Sequence, residues 1–174
     1  MASSNAGGHG IWLSAGGYAS VAWSGVSPGG RAEAVWSRFG RGFGLRLALG
    51  GTAQHGGSLG QGQAHWSRAA AELGPTFSLG NLRLDAGGVA SILWIEGSGF
   101  AVNQKSTGGS VGATTGVRMG WAWGRTLPWL ELRGQWWPQT QRIYVTDSAS
   151  DLQTSRAMPH LELQLGAGIA FTLY

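Results

Sequence analysis

Apolar and polar residues alternate along most of the chain with a period of two. The alternation is clearest in the last segment, where every second position from Leu161 to Leu173 is apolar. Successive side chains of a β-strand point to opposite faces, so this spacing predicts strands with one apolar and one polar face. We expect eight strands of about 9–11 residues or longer, enough to cross a bilayer when tilted. The alternating positions that mark these strands lie at 11–23, 32–36, 43–49, 69–79, 82–94, 111–123, 130–136 and 161–173.

The connecting segments predict short turns at one end and longer loops at the other. Gly80-Asn81 is typical of a two-residue hairpin turn, and Phe39-Gly40 and residues 125–128 are expected to turn at the same end. Longer connections are predicted at 24–30, 55–63, 97–109 and 145–156. This asymmetry favours an all-β fold, an eight-stranded antiparallel up-and-down transmembrane β-barrel. We expect residues 1–8 to be a flexible N-terminus and residues 9–174 to be a single barrel domain.

The composition decides which face of the strands points outward. Only 11% of the 174 residues are charged, compared with about 25% in soluble domains, while 32 are Gly and 10 are Trp. A water-exposed face would carry far more Lys and Glu, so we expect the apolar faces to contact lipid. A soluble ligand-binding β-barrel, with its apolar faces inward, is an alternative with the same alternation. The absence of Cys excludes a disulfide scaffold and a Cys-based metal site.

The polar faces carry five arginines and five acidic residues among small side chains. An eight-stranded barrel has an interior just wide enough to be filled by side chains, and buried charges there must be paired. The other basic residues, Arg31 among them, are expected at rims and loops. The predicted interior ion-pair network consists of Glu33, Arg46, Arg68, Glu72, Arg83, Asp85, Arg118, Glu131, Arg133 and Glu162.

Aromatic residues gather near the ends of the predicted strands. Aromatic side chains form girdles at both membrane interfaces of barrels, where an amphipathic ring meets lipid and water. The predicted girdle consists of Trp23, Trp36, Trp66, Trp94, Trp121, Trp123, Trp136 and Phe171.

The whole chain from Ile11 to Tyr174 resembles the eight-stranded outer-membrane proteins of the OmpA transmembrane domain, OmpX and OmpW type. The resemblance is architectural. It implies a monomer in the bacterial outer membrane, in contact with membrane lipids and lipopolysaccharide and inserted by the barrel assembly machinery. Tyr174 is terminal and aromatic, but it lies one residue out of step with the apolar face of Leu173. Residues 1–8 lack the segments of a signal peptide, so we expect the sequence to begin at the mature form.

One constellation offers a different chemistry. If Gly80-Asn81 is a two-residue turn, His65 falls opposite Glu96, and Ser67 falls opposite Trp94. A Glu-oriented His beside a Ser has the logic of acyl transfer. It is similar to the His-x-Ser plus Glu site of the lipid A deacylase PagL, which implies Ser67 as nucleophile, His65 as base and Glu96 as orienting residue. The sequence departs from that family at Arg68, where the family has Asn, and Glu96 is much farther along the chain.

The sequence therefore favours a membrane barrel that is not an enzyme, with a plugged interior and a structural or surface-interaction role through its loops. A narrow small-molecule path, as in OmpW-like proteins, and the deacylase are alternatives. We expect no cofactor and no metal, because the four His are far apart in sequence. We also expect no nucleic-acid partner, because the basic residues are scattered singly.

Overall fold

The computed structural model describes residues 9–22, 25–38, 41–59, 62–98, 105–139, 142–146, 153–157 and 159–173, and these contain ten strands. No helix long and apolar enough to cross a bilayer occurs in this part of the chain. The strands are β1 (His9–Ala22), β2 (Gly25–Arg38), β3 (Arg41–Leu59), β4 (Gly62–Leu79), β5 (Leu82–Ser98), β6 (Lys105–Gly120), β7 (Thr126–Trp136), β8 (Arg142–Thr146), β9 (Gln153–Ala157) and β10 (Leu161–Leu173).

Eight of these strands close into a barrel in the order β1-β10-β7-β6-β5-β4-β3-β2, and every neighbouring pair is antiparallel. The first and last strands close the barrel, with Ile11 opposite Leu173 and Val21 opposite Leu163. Strands β8 and β9 form a separate two-stranded sheet between β7 and β10. The predicted fold, an eight-stranded antiparallel barrel, is confirmed.

The tight turns lie close to their predicted places. Leu79 pairs with Leu82 across Gly80-Asn81, and Gly80 has a φ of 61°, a value that glycine adopts without strain. The turn predicted at 125–128 lies earlier, because Trp123 and Thr126 exchange backbone hydrogen bonds around Gly124 and Arg125. The predicted turn Phe39-Gly40 lies outside the described residues, as does the N-terminal segment 1–8.

The predicted boundaries of the longer loops are wrong, because strand pairing continues into the described parts of these segments. Residues from Gly25 onward belong to β2, which stays paired with β1 as far as Ala22. Strand β3 runs to Leu59, which pairs with Gly62. The segments predicted at 97–109 and 145–156 also contain strand residues of β5, β6, β8 and β9. Gly and Ser gave these segments a loop-like composition, yet ladder hydrogen bonds join backbone groups and do not require large or apolar side chains.

The barrel is taller on one side than on the other. Strands β3 to β6 contain 16 to 19 residues, whereas β1, β2, β7 and β10 contain 11 to 14. On the loop side, pairing between β2 and β3 ends at Gly29 and Thr52, and pairing between β6 and β7 ends at Ala113 and Trp136. Strands β3 to β6 therefore continue beyond the closed barrel as a four-stranded wall.

The two faces of the barrel reverse the arrangement of a water-soluble protein. The inner face is mostly polar, and its most deeply buried large side chains include those of Arg46 and Arg133. The outer face carries a belt of exposed apolar side chains, as on β3 at Leu45, Leu47 and Leu49. A surface of this kind matches the hydrocarbon interior of a membrane and not water.

Candidate functional site: the charged interior

The ten charged residues predicted for the interior all lie at inward-facing positions of β2 to β7 and β10. Nine are buried, and Arg83, near the turn side, is half-buried. Each occupies the strand phase opposite to the exposed leucines, so the period-two alternation itself carries the charges inward. The side chains meet in one connected set of ion pairs and hydrogen bonds.

Glu131 on β7 is the acceptor for three arginines. Arg118 Nε and Arg133 Nε each donate to the carboxylate at 2.8 Å, and Arg31 donates through Nη1. These arginines come from β6, β7 and β2, so one carboxylate ties together both sides of the barrel. Charge-assisted hydrogen bonds of this kind are stronger than neutral ones, and they satisfy the buried carboxylate.

Glu72 on β4 has a similar role at the same level of the interior. It lies 3.1 Å from Arg31 Nη2 and 3.2 Å from Arg133 Nη1, and it also accepts from Arg46. Arg46 and Arg133 in turn contact Asp85, with Nε–Oδ1 and Nη1–Oδ1 distances of 3.4 Å and 2.6 Å. The arginines thus bridge the acidic residues, and the network spans the lumen.

Toward the turn side, Glu33 on β2 continues the network. Arg83 Nη2 donates to Glu33 at 2.6 Å, and Arg46 Nη1 lies 3.5 Å away. Arg118 also donates to the same carboxylate. Because Arg83 is the most exposed of these arginines, this end of the network is the one nearest to solvent.

Toward the loop side, Arg68 and Glu162 form a separate pair at 2.9 Å. The hydroxyl of Ser20 and the amide of Gln164 both donate to the same carboxylate. Arg31 connects this pair to the rest by donating to Gln164 Oε1. A cavity of about 10 Å³ lies between Arg31 and Arg68, a volume for about one water molecule.

Arg31 was predicted at a rim, and this prediction is wrong. Its side chain is buried and contacts Glu131 and Glu72. It directly follows the loop predicted at 24–30, but in β2 it shares the inward phase of Glu33. The interior therefore holds six arginines against five acidic residues among the described residues.

Aromatic rings in the interior stabilise three of these arginines. The guanidinium carbon lies 3.9 Å from the ring centre of Trp129 for Arg118, and 4.2 Å from that of Trp137 for Arg68. Arg31 lies 5.1 Å from the ring centre of Tyr18. The negative face of an aromatic ring attracts a cation, so these contacts help to accommodate the additional positive charge.

Trp129 is buried in the lumen, a position that was not predicted from the sequence. Its ring lies against the glycines of β1 and β10. A Cβ atom added to Gly16 or Gly168 would approach the ring to 2.6 Å or 2.4 Å. The signal was present, because Trp129 shares the strand phase of Glu131 and Arg133.

Six of the predicted girdle residues lie exposed on the outer surface. Trp66 does not, because it is 5% exposed and shares the inward phase of Arg68, so its assignment to the girdle is wrong. Trp23 lies outside the described residues. The six exposed residues are Trp36, Trp121, Trp123 and Phe171 near the turn side, and Trp94 and Trp136 near the loop side.

The alternative catalytic residues lie on the outer face of β4 and β5. His65 pairs with Glu96 and Ser67 with Trp94, in the register that the two-residue turn predicts. No hydrogen bond joins Ser67 to His65 in the part of the chain that the structure describes, so the base is not positioned on the hydroxyl. Within the same residues, no group of three or more His, Cys, Asp or Glu side chains could hold a metal ion.

No protein-family model and no curated protein matches this chain. Solved structures match over nearly the whole length. A major outer membrane protein from Thermus thermophilus is 15% identical with a TM-score of 0.66, and 95% of this chain and 99% of that chain are covered. Ail, the attachment invasion locus protein of Yersinia pestis, is 13% identical with a TM-score of 0.54 and coverage of 94% and 97%.

The N-terminal β-barrel domain of Pseudomonas aeruginosa OprF is also similar, with 11% identity, a TM-score of 0.54, and coverage of 96% of this chain and 99% of that domain. At these identities the comparisons show the fold, which is that of the eight-stranded outer-membrane barrels. The resemblance to this architecture is confirmed.

Proposed function

We propose that this chain is an integral protein of a bacterial outer membrane, that its barrel is closed to ions, and that it has a structural or surface-interaction role. The observation that carries the proposal is the contrast between the two faces of the wall. Buried ion pairs fill the lumen, while the outer face carries exposed leucines. Membrane lipids and lipopolysaccharide are its proposed surroundings, and the barrel assembly machinery inserts it as a monomer.

The closed lumen is supported by the way in which the network crosses it. Glu131 and Glu72 bind arginines from opposite sides of the barrel, and Trp129 occupies the space beside them. A water-filled path requires these side chains to separate, and each separation leaves a buried charge unpaired. We therefore expect the protein to stabilise the membrane or to present a surface to partners, and not to conduct ions.

Recording from planar bilayers tests this part of the proposal. The wild-type protein is expected to give no discrete conductance steps. The double variant Arg118→Ala/Glu131→Ala removes one positive and one negative side chain and opens space in the lumen beside Trp129, so it is expected to give steps. Discrete steps from the folded wild-type protein contradict the closed barrel.

A role at the cell surface is supported by the segments beyond the barrel on the loop side. Strands β3 to β6 continue beyond the closed barrel, and β8 and β9 form a second small sheet, so both offer strand segments to a partner outside the membrane. Ail, whose fold is similar, is named for attachment and invasion.

An epitope inserted between Thr146 and Gln153 tests the orientation. In a Gram-negative host that exports the protein, antibody is expected to label intact cells. Labelling that requires permeabilised cells contradicts the proposed surface exposure of the loop side.

We also propose that the barrel has no acyl-transfer activity, because Ser67 and His65 are not hydrogen-bonded to each other within the described residues. Lipopolysaccharide incubated with the folded protein is expected to keep all its fatty acids. Release of fatty acid that Ser67→Ala abolishes, with folding unchanged, contradicts this proposal.

A further inference from the structure

A surface pocket of about 540 Å³ lies on the loop side of the barrel where β4, β5 and β6 pair. Five of the residues that line it have the outward phase of the lipid-facing side chains. They occupy directly opposed positions, because His65 pairs with Glu96, and Trp94 pairs with both Ser67 and Thr107. The outward-facing residues of the pocket therefore present one indole ring, an imidazole, a carboxylate and two hydroxyl groups, and the inward-phase residues Trp66, Ile95 and Ser106 complete the lining.

The pocket lies at the upper boundary of the apolar belt. On β4 the outward side chains are apolar from Leu79 at the turn side to Ala69, and the next outward residue is Ser67. From Ala69 to Leu79 this apolar stretch spans ten residue steps, roughly 33 Å along the strand at ~3.3 Å per residue. With a strand tilt of about 40° its height is roughly 25 Å, the height of the apolar band of membrane barrels. The pocket thus lies at the level of the lipid headgroups.

The side chains of the pocket suit a sugar ring. Trp94 is 45% exposed, so its ring offers a flat apolar surface to the C–H groups of a hexose. A carboxylate at Glu96 accepts hydrogen bonds from sugar hydroxyls, and the hydroxyl groups of Ser67 and Thr107 can donate or accept.

The outer face below the pocket has mostly small residues, with Ile92 as the exception, unlike the leucine-rich faces of β3, β7 and β10. Below Ser67 and Trp94, Ala69 pairs with Ile92, and the next outward pair is Ala71 with Ala90. A side chain on Gly88, the next outward position along β5, would meet no atom within 4 Å. These positions form a shallow groove in which an acyl chain can lie while its headgroup stays at the pocket. Free sugar is expected to bind more weakly, since a sugar without acyl chains leaves the groove empty.

We propose that this pocket binds the sugar headgroup of a glycolipid in the leaflet on the loop side, with Trp94 as the stacking surface and Glu96 as a hydrogen-bond acceptor. The proposal rests on the proposed membrane location. It gives the barrel a fixed lipid partner at one defined side of its circumference. A glycerophospholipid offers no sugar ring to Trp94 and binds no better here than elsewhere on the belt.

The test titrates the protein, folded in detergent micelles, with purified lipopolysaccharide and separately with phosphatidylglycerol, and follows complex formation on native gels. Wild-type protein is expected to form a complex with lipopolysaccharide only. Trp94→Leu is expected to weaken binding about tenfold, the loss expected for one aromatic contact of ~1.4 kcal/mol. Glu96→Gln is expected to weaken it too. Trp136→Leu is the matched control, because Trp136 is also an exposed Trp near the loop side.

Three results of the lipid titration would overturn the proposal. The first is that Trp94→Leu binds lipopolysaccharide as tightly as the wild type. The second is that Trp136→Leu loses as much affinity as Trp94→Leu. Either result would mean that the pocket does not differ from other exposed Trp positions of the girdle. The third is a complex with phosphatidylglycerol of the same strength. Deacylated saccharide distinguishes a membrane glycolipid from a free sugar as the ligand. We expect the deacylated saccharide to compete with lipopolysaccharide only at a much higher concentration. Competition as strong as that of intact glycolipid contradicts a membrane ligand. Heat-modifiable migration of each variant reports folding, so failure of this proposal is distinguishable from failure of the membrane barrel.

Discussion

The outer and inner faces of this barrel are formed by alternate residues of the same strands, yet they depend on their surroundings in different ways. Leu132 on the outer face needs only an apolar environment, which any lipid supplies. Its neighbour Glu131 on the inner face needs arginines from three strands, held in fixed directions. The outer face therefore tolerates exchange among apolar residues, whereas the inner face depends on particular partners.

The largest expected effect comes from removing an inner acceptor. Glu131→Ala leaves Arg31, Arg118 and Arg133 without a shared carboxylate in a buried site, so the free energy of unfolding is expected to fall by about 3–5 kcal/mol. The measurement is urea unfolding in lipid vesicles, followed by the heat-modifiable shift on gels. Leu132→Ala is the adjacent control and is expected to cost only about 1–2 kcal/mol of lost apolar contact. Similar losses in the two variants would erase the difference between the faces.

A charge placed on the outer face is expected to have the next largest effect. Leu132→Arg puts a cation against lipid near the middle of β7, with an expected loss of about 2–4 kcal/mol. Trp121→Arg, close to the turn at Gly124, is expected to cost only about 0–1 kcal/mol, because the cation reaches the interface. The same urea titration measures both. A loss that does not depend on position along the barrel axis contradicts a lipid-facing outer surface.

A smaller loss of stability is expected from adding a side chain at Gly168, which lies beside the Trp129 ring. Gly168→Ala brings a Cβ atom to within 2.3 Å of the Ala15 carbonyl oxygen and 2.4 Å of the Trp129 ring, so we expect a loss of about 1–3 kcal/mol from overpacking. Gly88→Ala is the control on the outer face, where an added Cβ meets no atom within 4 Å. Pairing Gly168→Ala with Trp129→Phe in a double-mutant cycle isolates the contact. If the losses of stability from Gly168→Ala and Trp129→Phe are additive, the Trp129 ring is not the reason why this position requires glycine.

The contrast between the faces also explains how far the sequence predicts this structure. Period-two alternation assigns each residue to a face, and the turn at Gly80-Asn81 fixes the register of β4 against β5, so the opposition of His65 and Glu96 follows by counting. Trp66 was placed on the wrong face although it shares the phase of Arg68, because an aromatic residue near a strand end suggested the girdle.

The partners within the lumen were not predictable in the same way. Glu131 lies on β7 and Arg31 on β2, and only barrel closure and strand stagger bring the two together. Arg31 itself was assigned to a rim because Gly29-Gly30 precede it, and glycine lowers the expectation of a strand. The starts of β2 at Gly25 and of β4 at Gly62 were missed for the same reason, since backbone pairing leaves no mark in the side-chain pattern.

The central claim is that the apolar face of the wall contacts lipid and that the charged face is enclosed. Migration on SDS gels, with and without boiling, after refolding into detergent micelles and into plain buffer, tests it most directly. The account predicts that the unboiled protein runs at a shifted apparent mass after refolding in detergent and fails to fold without it. A protein that folds and stays monodisperse in plain buffer would contradict the account, because its leucines would then have to point inward.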